Sequence, residues 1–285
     1  MPTSRGDAAS WGAGAEAWAR RYVESSRIED KLTPPARPPL DEGAPVAAPL
    51  RLNGPGRAAT IEVRDRADRV PKAAALREAS ARARLLHVFL HHEVQAAELS
   101  AWAVLAFPDT PVEFRRGLFK ILDDEVRHAA LYAERLDALG VRYGDHAVRD
   151  WFWQRTLGCE TPVQYLALMG LGFEGGNLEH AQRFEAQLAD AGDPESARLV
   201  ARIGREEVAH VRFASTWFSR WTGRDPEEGP SFEDWAEALP PPLTPAVLRH
   251  LPLDRERRRR ARLSADFLDH LERCTPTTSR SGRGG

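Results

Sequence analysis

A glutamate followed three residues later by a histidine occurs twice in this sequence of 285 residues. Glu125 and His128 form the first pair, and Glu207 and His210 form the second. Residues three positions apart on an α-helix lie on the same face, so each pair presents a carboxylate beside an imidazole. One such pair arises by chance in charged helices. Its repetition indicates a fold in which two helices present the same ligands.

A further glutamate precedes each pair at nearly the same distance. Glu93 lies 32 residues before Glu125, and Glu174 lies 33 residues before Glu207. In metal-binding four-helix bundles, two helices supply one glutamate each, and the other two supply a Glu-x-x-His pair each. The sequence therefore predicts six metal ligands, which are also the predicted catalytic residues: Glu93, Glu125, His128, Glu174, Glu207 and His210.

The position of these glutamates along the helices is consistent with that prediction. In an antiparallel hairpin, two residues meet only if they lie equally far from the connecting turn. Glu93 and Glu125 are each 14 residues from the turn at 107–111, which is roughly 21 Å along the helix. The second pair of glutamates lies 16 and 13 residues from the turn at 190–194, a mismatch of less than one helical turn. Both hairpins can place their ligands in one layer.

The spacing of apolar residues predicts an all-α protein. Apolar side chains recur at three- and four-residue intervals from Pro71 to about Gly223, and prolines and glycines interrupt them where helices should end. We expect a four-helix bundle of two antiparallel hairpins joined by a crossover. The predicted regions are an N-terminal, partly extended arm (1–70), the bundle (71–223), a C-terminal helical extension (224–272) and a disordered tail (273–285).

Burial of four carboxylates together needs compensation, because their charged forms lose hydration in an apolar core. Two divalent cations would balance four negative charges, and neutral imidazoles would complete the ligand set. Carboxylate and imidazole ligands suit iron or manganese better than metals that prefer thiolates. The predicted cofactor is a pair of Fe ions, with Mn or a mixed Fe/Mn pair as alternatives.

Two more glutamates repeat near the predicted ligands. Glu98 and Glu179 each lie five residues after a ligand glutamate, a spacing that turns a helix by about 140°. We interpret them as groups that support the ligands or lie at the surface. The sequence leaves open whether either one binds metal, and Glu98 is the main rival to Glu93.

Other polar residues border the predicted site. Tyr132, one turn beyond His128, is the seventh predicted catalytic residue. It could relay an electron or donate a hydrogen bond to bound oxygen, although an ordinary core tyrosine is the commoner case. His91, His92 and His180 are interpreted as residues that do not bind metal.

Glycines and arginines mark two further segments. Gly170, Gly172, Gly175 and Gly176 surround Glu174, where each glycine costs a helix about 1 kcal/mol. We expect a π-bulge, space for a substrate, or close packing against the Trp-Phe-Trp run at 151–153.

The arginine-rich run at 255–260 is interpreted as a solvated helix face, with a nucleic-acid patch as the less favoured alternative.

Composition excludes several classes of protein. A formal charge of -2 provides no overall field for nucleic acid or membranes, and two cysteines rule out a disulfide framework. The start of the sequence has no charged stub followed by an apolar run, and no stretch approaches the roughly 18 apolar residues of a membrane span. We predict a cytoplasmic protein with no membrane partner.

Four segments resemble a known family. They read HHEVQAAELSAWAVLAFPDTP, DDEVRHAALYAERLDALG, MGLGFEGGNLEHAQRF and GREEVAHVRFASTWF, within roughly 75–222. These segments resemble the bacterial domain of unknown function 455, and more broadly the ferritin-like di-iron carboxylate superfamily. That superfamily includes ferritins, the ribonucleotide reductase small subunit, multicomponent monooxygenases and a tRNA hydroxylase. The resemblance implies a ferritin-like bundle and a di-iron site.

The function expected from these features is a di-iron oxidase or hydroxylase. It would use O2, an electron donor and a small-molecule or modified-nucleotide substrate. Long segments before and after the bundle argue against a storage shell. The alternatives are a non-catalytic iron-binding or ferroxidase protein and a dimanganese enzyme that removes peroxide. The sequence leaves a homodimer open.

Overall fold

The computed structural model describes residues 11, 14–40, 43, 46–66 and 70–275. Within these ranges the ordered elements are helices, and extended backbone pairs only at an isolated bridge between Val63 and Val148. The predicted all-α class is confirmed. The last helix ends at Arg273, and residues 276–285 of the predicted tail lie outside the described residues.

The chain divides into two compact units, Met1–Leu157 and Gly158–Gly285. Helices of the first unit are α1 (Ala15–Glu24), α2 (Ile28–Leu32), a 3-10 turn (Ala73–Arg77), α3 (Ala79–Ala106), α4 (Val112–Ala138) and α5 (Trp151–Thr156). Helices of the second are α6 (Pro162–Tyr165), a π-helix (Leu166–Glu174), α7 (Gly175–Asp190), α8 (Pro194–Trp221), α9 (Phe232–Ala238), α10 (Pro245–Leu248), α11 (Arg255–Arg260) and α12 (Ala265–Arg273).

The core of the first unit is the antiparallel hairpin of α3 and α4. Helix α3 ends just before Phe107, and α4 starts after Pro111, whose ring fixes the backbone at a helix start. Helix α1 packs against α3, and α2 packs against α4. Two aromatic residues of α1, Trp18 and Tyr22, are buried and stacked. The N-terminal segment therefore covers the hairpin.

The second unit is also built on a hairpin. Helix α6, the π-helix and α7 follow one another without a break, and α7 packs against α8. The connecting turn uses Gly192 at a φ of 81°, a left-handed conformation that favours glycine. Asp193 then caps α8 by accepting a hydrogen bond from the backbone N–H of Ser196.

The π-helix confirms one of the expectations drawn from the glycine cluster. Its backbone also makes close contacts. A Cβ on Gly170 would lie 2.2 Å from the Cβ of Ala214 on α8, and one on Gly176 would lie 2.9 Å from the His250 ring. Glycine thus serves both the distorted backbone and the packing of neighbouring elements against it.

The C-terminal segment, residues 224–275, packs on this distorted helix. Helices α9 and α10 contact the π-helix, and α11 contacts α7 and α8. The indole of buried Trp235 donates a hydrogen bond to the carbonyl of Ala167 at 2.9 Å. The helical extension expected at 224–272 is broken between α11 and α12, where Arg262 adopts a φ of 68°. No helix in the described part of the chain has the length and apolar character needed to cross a bilayer.

The contact between α7 and α8 gives a test of this packing. A Cβ added at Gly204 would lie 2.3 Å from the Cβ of Ala181, far inside normal contact. Gly204→Ala should cost about 1–2 kcal/mol of unfolding free energy, because overpacking exceeds the gain in helix propensity.

The double variant Ala181→Gly/Gly204→Ala moves one methyl across the interface and should return to within about 0.5 kcal/mol of wild type, measured by urea unfolding. Gly54→Ala, which meets nothing within 4 Å, is the control. A double variant no more stable than Gly204→Ala would contradict this account of the contact.

Candidate metal centre

Three of the predicted ligands meet inside the first unit. Glu93 is on α3, and Glu125 and His128 are on α4. One ligand atom from each lies within 4.8 Å of the others. The Nδ1 atom of His128 is 3.5 Å from Oε2 of Glu93 and 3.7 Å from Oε2 of Glu125. We call these residues the first trio.

The hairpin explains why the first trio is buried. Its members lie on the inner faces of α3 and α4, and Glu125 and His128 are 0% exposed. Over the neighbouring helical turns, the same faces carry mostly apolar side chains. These buried neighbours are Leu86, Leu90, Ala97, Phe114, Leu118 and Ala129. The equal depth of the two glutamates in the hairpin brings their carboxylates together inside this apolar seam.

The other three predicted ligands meet inside the second unit. Glu174 is the last residue of the π-helix, and Glu207 and His210 are on α8. Their ligand atoms also lie within 4.8 Å of one another. The Nδ1 atom of His210 is 3.0 Å from Oε2 of Glu207. Glu207 is 0% exposed, His210 is buried and Glu174 is half-buried. We call these residues the second trio.

Each trio has the composition of a metal site. Two carboxylates and one imidazole supply oxygen and nitrogen donors, the set that suits iron or manganese. The two carboxylates carry two negative charges, which one divalent ion would balance. Without a cation, burial of both charges would cost several kcal/mol. The residues of each unit therefore fit a bound divalent metal.

Tyr132 lies on α4, one turn beyond His128. Its side chain is buried, and its ring centroid is 5.8 Å from that of Phe89. This contact fits a core tyrosine, and its position on the face of His128 also places it within the first unit's ligand seam.

Glu98 is fully buried, so its interpretation as a surface group is wrong. The guanidinium of Arg57 binds its two oxygens at 2.5 and 2.8 Å, Lys31 Nζ lies at 2.9 Å, and the Trp153 indole donates at 2.9 Å. Burial opposes ionisation, but Arg57 and Lys31 hold the pKa of Glu98 below its usual range. Its oxygens are committed to these cations and are poorly suited to bind metal.

Glu179 is also buried, and its surface interpretation is wrong as well. Arg258 binds both of its oxygens at 2.7 Å, and the backbone N–H of Asp254 donates at 2.9 Å. Arg258 is 2% exposed although it lies within an arginine-rich run. The interpretation of that run as a solvated face is therefore wrong at this position. Arg259 and Arg260 are exposed, as expected.

Sequence reasoning missed these cationic partners. Arg57 lies in an irregular segment, and Arg258 is one of five arginines in a row of six residues. The one available signal was the repeated five-residue spacing from Glu93 to Glu98 and from Glu174 to Glu179.

The bordering histidines are engaged elsewhere. His91 contacts the Tyr143 hydroxyl at 2.6 Å and Asp150 at 3.1 Å. The ring of His92 lies 4.8 Å from that of Phe152, and burial lowers the pKa of His92 to about 3. His180 pairs with His250 at 3.2 Å between ring nitrogens.

These geometries define an all-α protein with buried carboxylate and imidazole groups that could bind metal. The model of a family described as "Protein of unknown function (DUF455)" matches residues 14–269, so the chain belongs to that family. Neither the curated proteins nor the solved structures contain a significant match.

A buried histidine on α3 gives a pH test of the first unit. His87 is fully buried, and its Nε2 accepts a hydrogen bond from the Gly144 N–H at 3.0 Å. Burial, aided by His146 and His91 and opposed by Asp145, lowers the pKa of His87 to about 4.

The His87 imidazole therefore binds a proton below pH ~6.5 in the unfolded chain, but only below about pH 4 in the folded protein. Stability should fall over this window by about 3 kcal/mol more in wild type than in His87→Gln, measured by urea unfolding at a series of pH values. Parallel curves for the two proteins would contradict the prediction.

Proposed function

We propose that the two trios hold the metal ions of a di-iron oxidase or hydroxylase that uses O2. The single observation that carries the proposal is the chemical identity of the trios. Each consists of one glutamate on the first helix of a hairpin and a Glu-x-x-His pair on the second, drawn together in an apolar seam. Proteins with bundled di-iron sites use this ligand set.

When bound, a pair of iron ions supplies the chemistry of O2 reduction, which an oxidase or hydroxylase couples to oxidation of a substrate. The chain's own residues have three tasks. The carboxylates would balance the metal charge, and each imidazole would supply one nitrogen ligand. The apolar neighbours keep bulk water away. Tyr132, buried on the face of His128, is proposed to donate a hydrogen bond toward the centre.

The flanking segments favour an enzyme over an iron store. In the first unit α1 and α2 cover the hairpin, and in the second the C-terminal segment covers the π-helix and α7. Such coverage suits a substrate pocket better than the subunit packing of a storage shell. The arginine run is partly engaged inside the second unit, which favours a small molecule over a modified nucleotide as substrate.

Metal analysis of protein purified without O2 tests the centre. Wild type should contain about two metal ions per chain, and Fe²⁺ should raise its Tm, since a ligand at 100 times its Kd stabilises by about 2.7 kcal/mol. Glu125→Gln and Glu207→Gln should each lose most of this metal and most of the Tm increase. Without metal, both variants should be at least as stable as wild type, because each removes a buried charge.

The matched controls are Glu134→Gln on α4 and Glu195→Gln on α8, which change exposed glutamates on the same two helices. Both should keep wild-type metal content. Equal metal loss in ligand and control variants would remove the site assignment. Addition of O2 to the Fe²⁺ protein should give a transient optical absorbance, whereas turnover of peroxide by a manganese-loaded protein without organic substrate would favour the peroxide-removing alternative.

A further inference from the structure

The two units share a feature beyond the trios, and it concerns the glutamates five residues past the first ligand of each. Glu98 and Glu179 are both buried, and an arginine binds the two oxygens of each in a forked contact. Arg57 comes from the N-terminal segment, and Arg258 comes from the C-terminal segment. Each flanking segment thus contributes one arginine, which binds the glutamate five residues after the first predicted ligand of its own unit.

In the second unit the arginine also contacts the backbone next to a predicted ligand. The Nη2 atom of Arg258 donates to the carbonyl of Gly175 at 2.8 Å, one residue beyond Glu174. A Cβ at Gly175 would lie 3.4 Å from Nη1 of Arg258, so the guanidinium lies close against the helix. Asp254, just before α11, caps that helix through the Arg257 N–H, and its own N–H binds Glu179.

The contact between Arg258 and Gly175 lies at a distorted part of the backbone. Glu174 ends the π-helix, and glycines surround it on both sides. π-Helices are rare, and glycine leaves the backbone more freedom than any other residue. A buried forked ion pair, with a third bond to the backbone, fixes the start of α7 and with it the direction of Glu174.

The first unit has the same forked ion pair on a regular helix. Glu93 and Glu98 both lie within α3, which is α-helical from Ala79 to Ala106. Arg57 there also binds Asp150 at 2.7 Å. Because α3 holds its own geometry, loss of the Arg57 fork should disturb Glu93 less than loss of the Arg258 fork disturbs Glu174.

We propose that Arg258 is a positioning residue, which holds the junction of the π-helix and α7 so that Glu174 is directed toward the metal centre, and that Arg57 has the equivalent, weaker role for Glu93. The proposal rests on the proposed function for the identity of the centre. It assigns to the C-terminal segment a part in building the metal site.

The test replaces the ion pair by apolar side chains of similar length, Glu179→Met/Arg258→Met. Removal of both partners leaves no buried charge unpaired, so the protein should remain folded. Two readouts are used on the full chain: the dissociation constant for Co²⁺ alone, and hydrogen–deuterium exchange of peptides covering 166–179 in metal-free protein. Arg259→Met, at an exposed neighbour on α11, is the matched control.

We expect Co²⁺ to bind about 10-fold or more weakly to the double variant, in the range known for residues that orient metal ligands. Exchange over 166–179 should be faster, while exchange in α4 and the unfolding midpoint stay close to wild type. Arg259→Met should match wild type in every readout. Unchanged Co²⁺ affinity and unchanged exchange in the folded double variant would overturn the proposal.

Two further variants keep the outcome decisive. If the double variant does not fold, Arg258→Lys keeps the charge, loses the fork, and should weaken Co²⁺ binding and speed exchange over 166–179. Arg57→Lys should weaken Co²⁺ binding less, and an equal or larger effect would overturn the argument from the π-helix. A wild-type chain that binds no Co²⁺ would refute the proposed metal centre, whereas exchange over 166–179 would still decide whether Arg258 holds the junction.

Discussion

The core of this protein contains buried carboxylates, whose negative charges need compensation. Glu93, Glu125 and Glu207 lie among apolar side chains. A leucine at any of these positions would stabilise the helices better than the glutamate does. A charge in such surroundings loses several kcal/mol of hydration unless a cation compensates it. In each unit a helix hairpin brings two glutamates and a histidine together, and the proposed metal centre would supply the positive charge that these carboxylates need.

Each unit contains two kinds of buried carboxylate, which differ in the groups that lie beside their negative charge. The glutamates of the trios lie beside histidines, whereas Glu98 and Glu179 lie beside arginines supplied by the flanking segments. The arginines neutralise the charge of the glutamates that they bind. The trios retain oxygen and nitrogen donors directed at one another. This difference separates structural carboxylates from candidate ligands more clearly than burial does.

Much of the fold was predictable because its signals are local. Apolar spacing, with proline and glycine at the turns, predicted four long helices, and equal depth in a hairpin predicted which glutamates meet. The glycines around Glu174 allowed the π-helix to be anticipated as one of three options. The break at Arg262 was not predicted, since an arginine at a positive φ has no sequence signature.

Long-range partners were not predictable in the same way. Nothing in the irregular segment around Arg57 indicates that it reaches Glu98, 41 residues away. Within the run of arginines, the sequence does not distinguish buried Arg258 from exposed Arg259. These choices depend on the tertiary path of segments without strong periodicity. The predicted function stays a prediction for the same reason, because a substrate is defined by such surfaces and not by helix spacing.

The central claim is that both trios hold metal, and anomalous X-ray diffraction at the iron absorption edge measures this directly. Crystals grown with Fe²⁺ in the absence of O2 should show two peaks per chain. One peak should lie against Glu93, Glu125 and His128 and the other against Glu174, Glu207 and His210. A map with iron absent from both trios, or bound only at surface groups, would contradict the account.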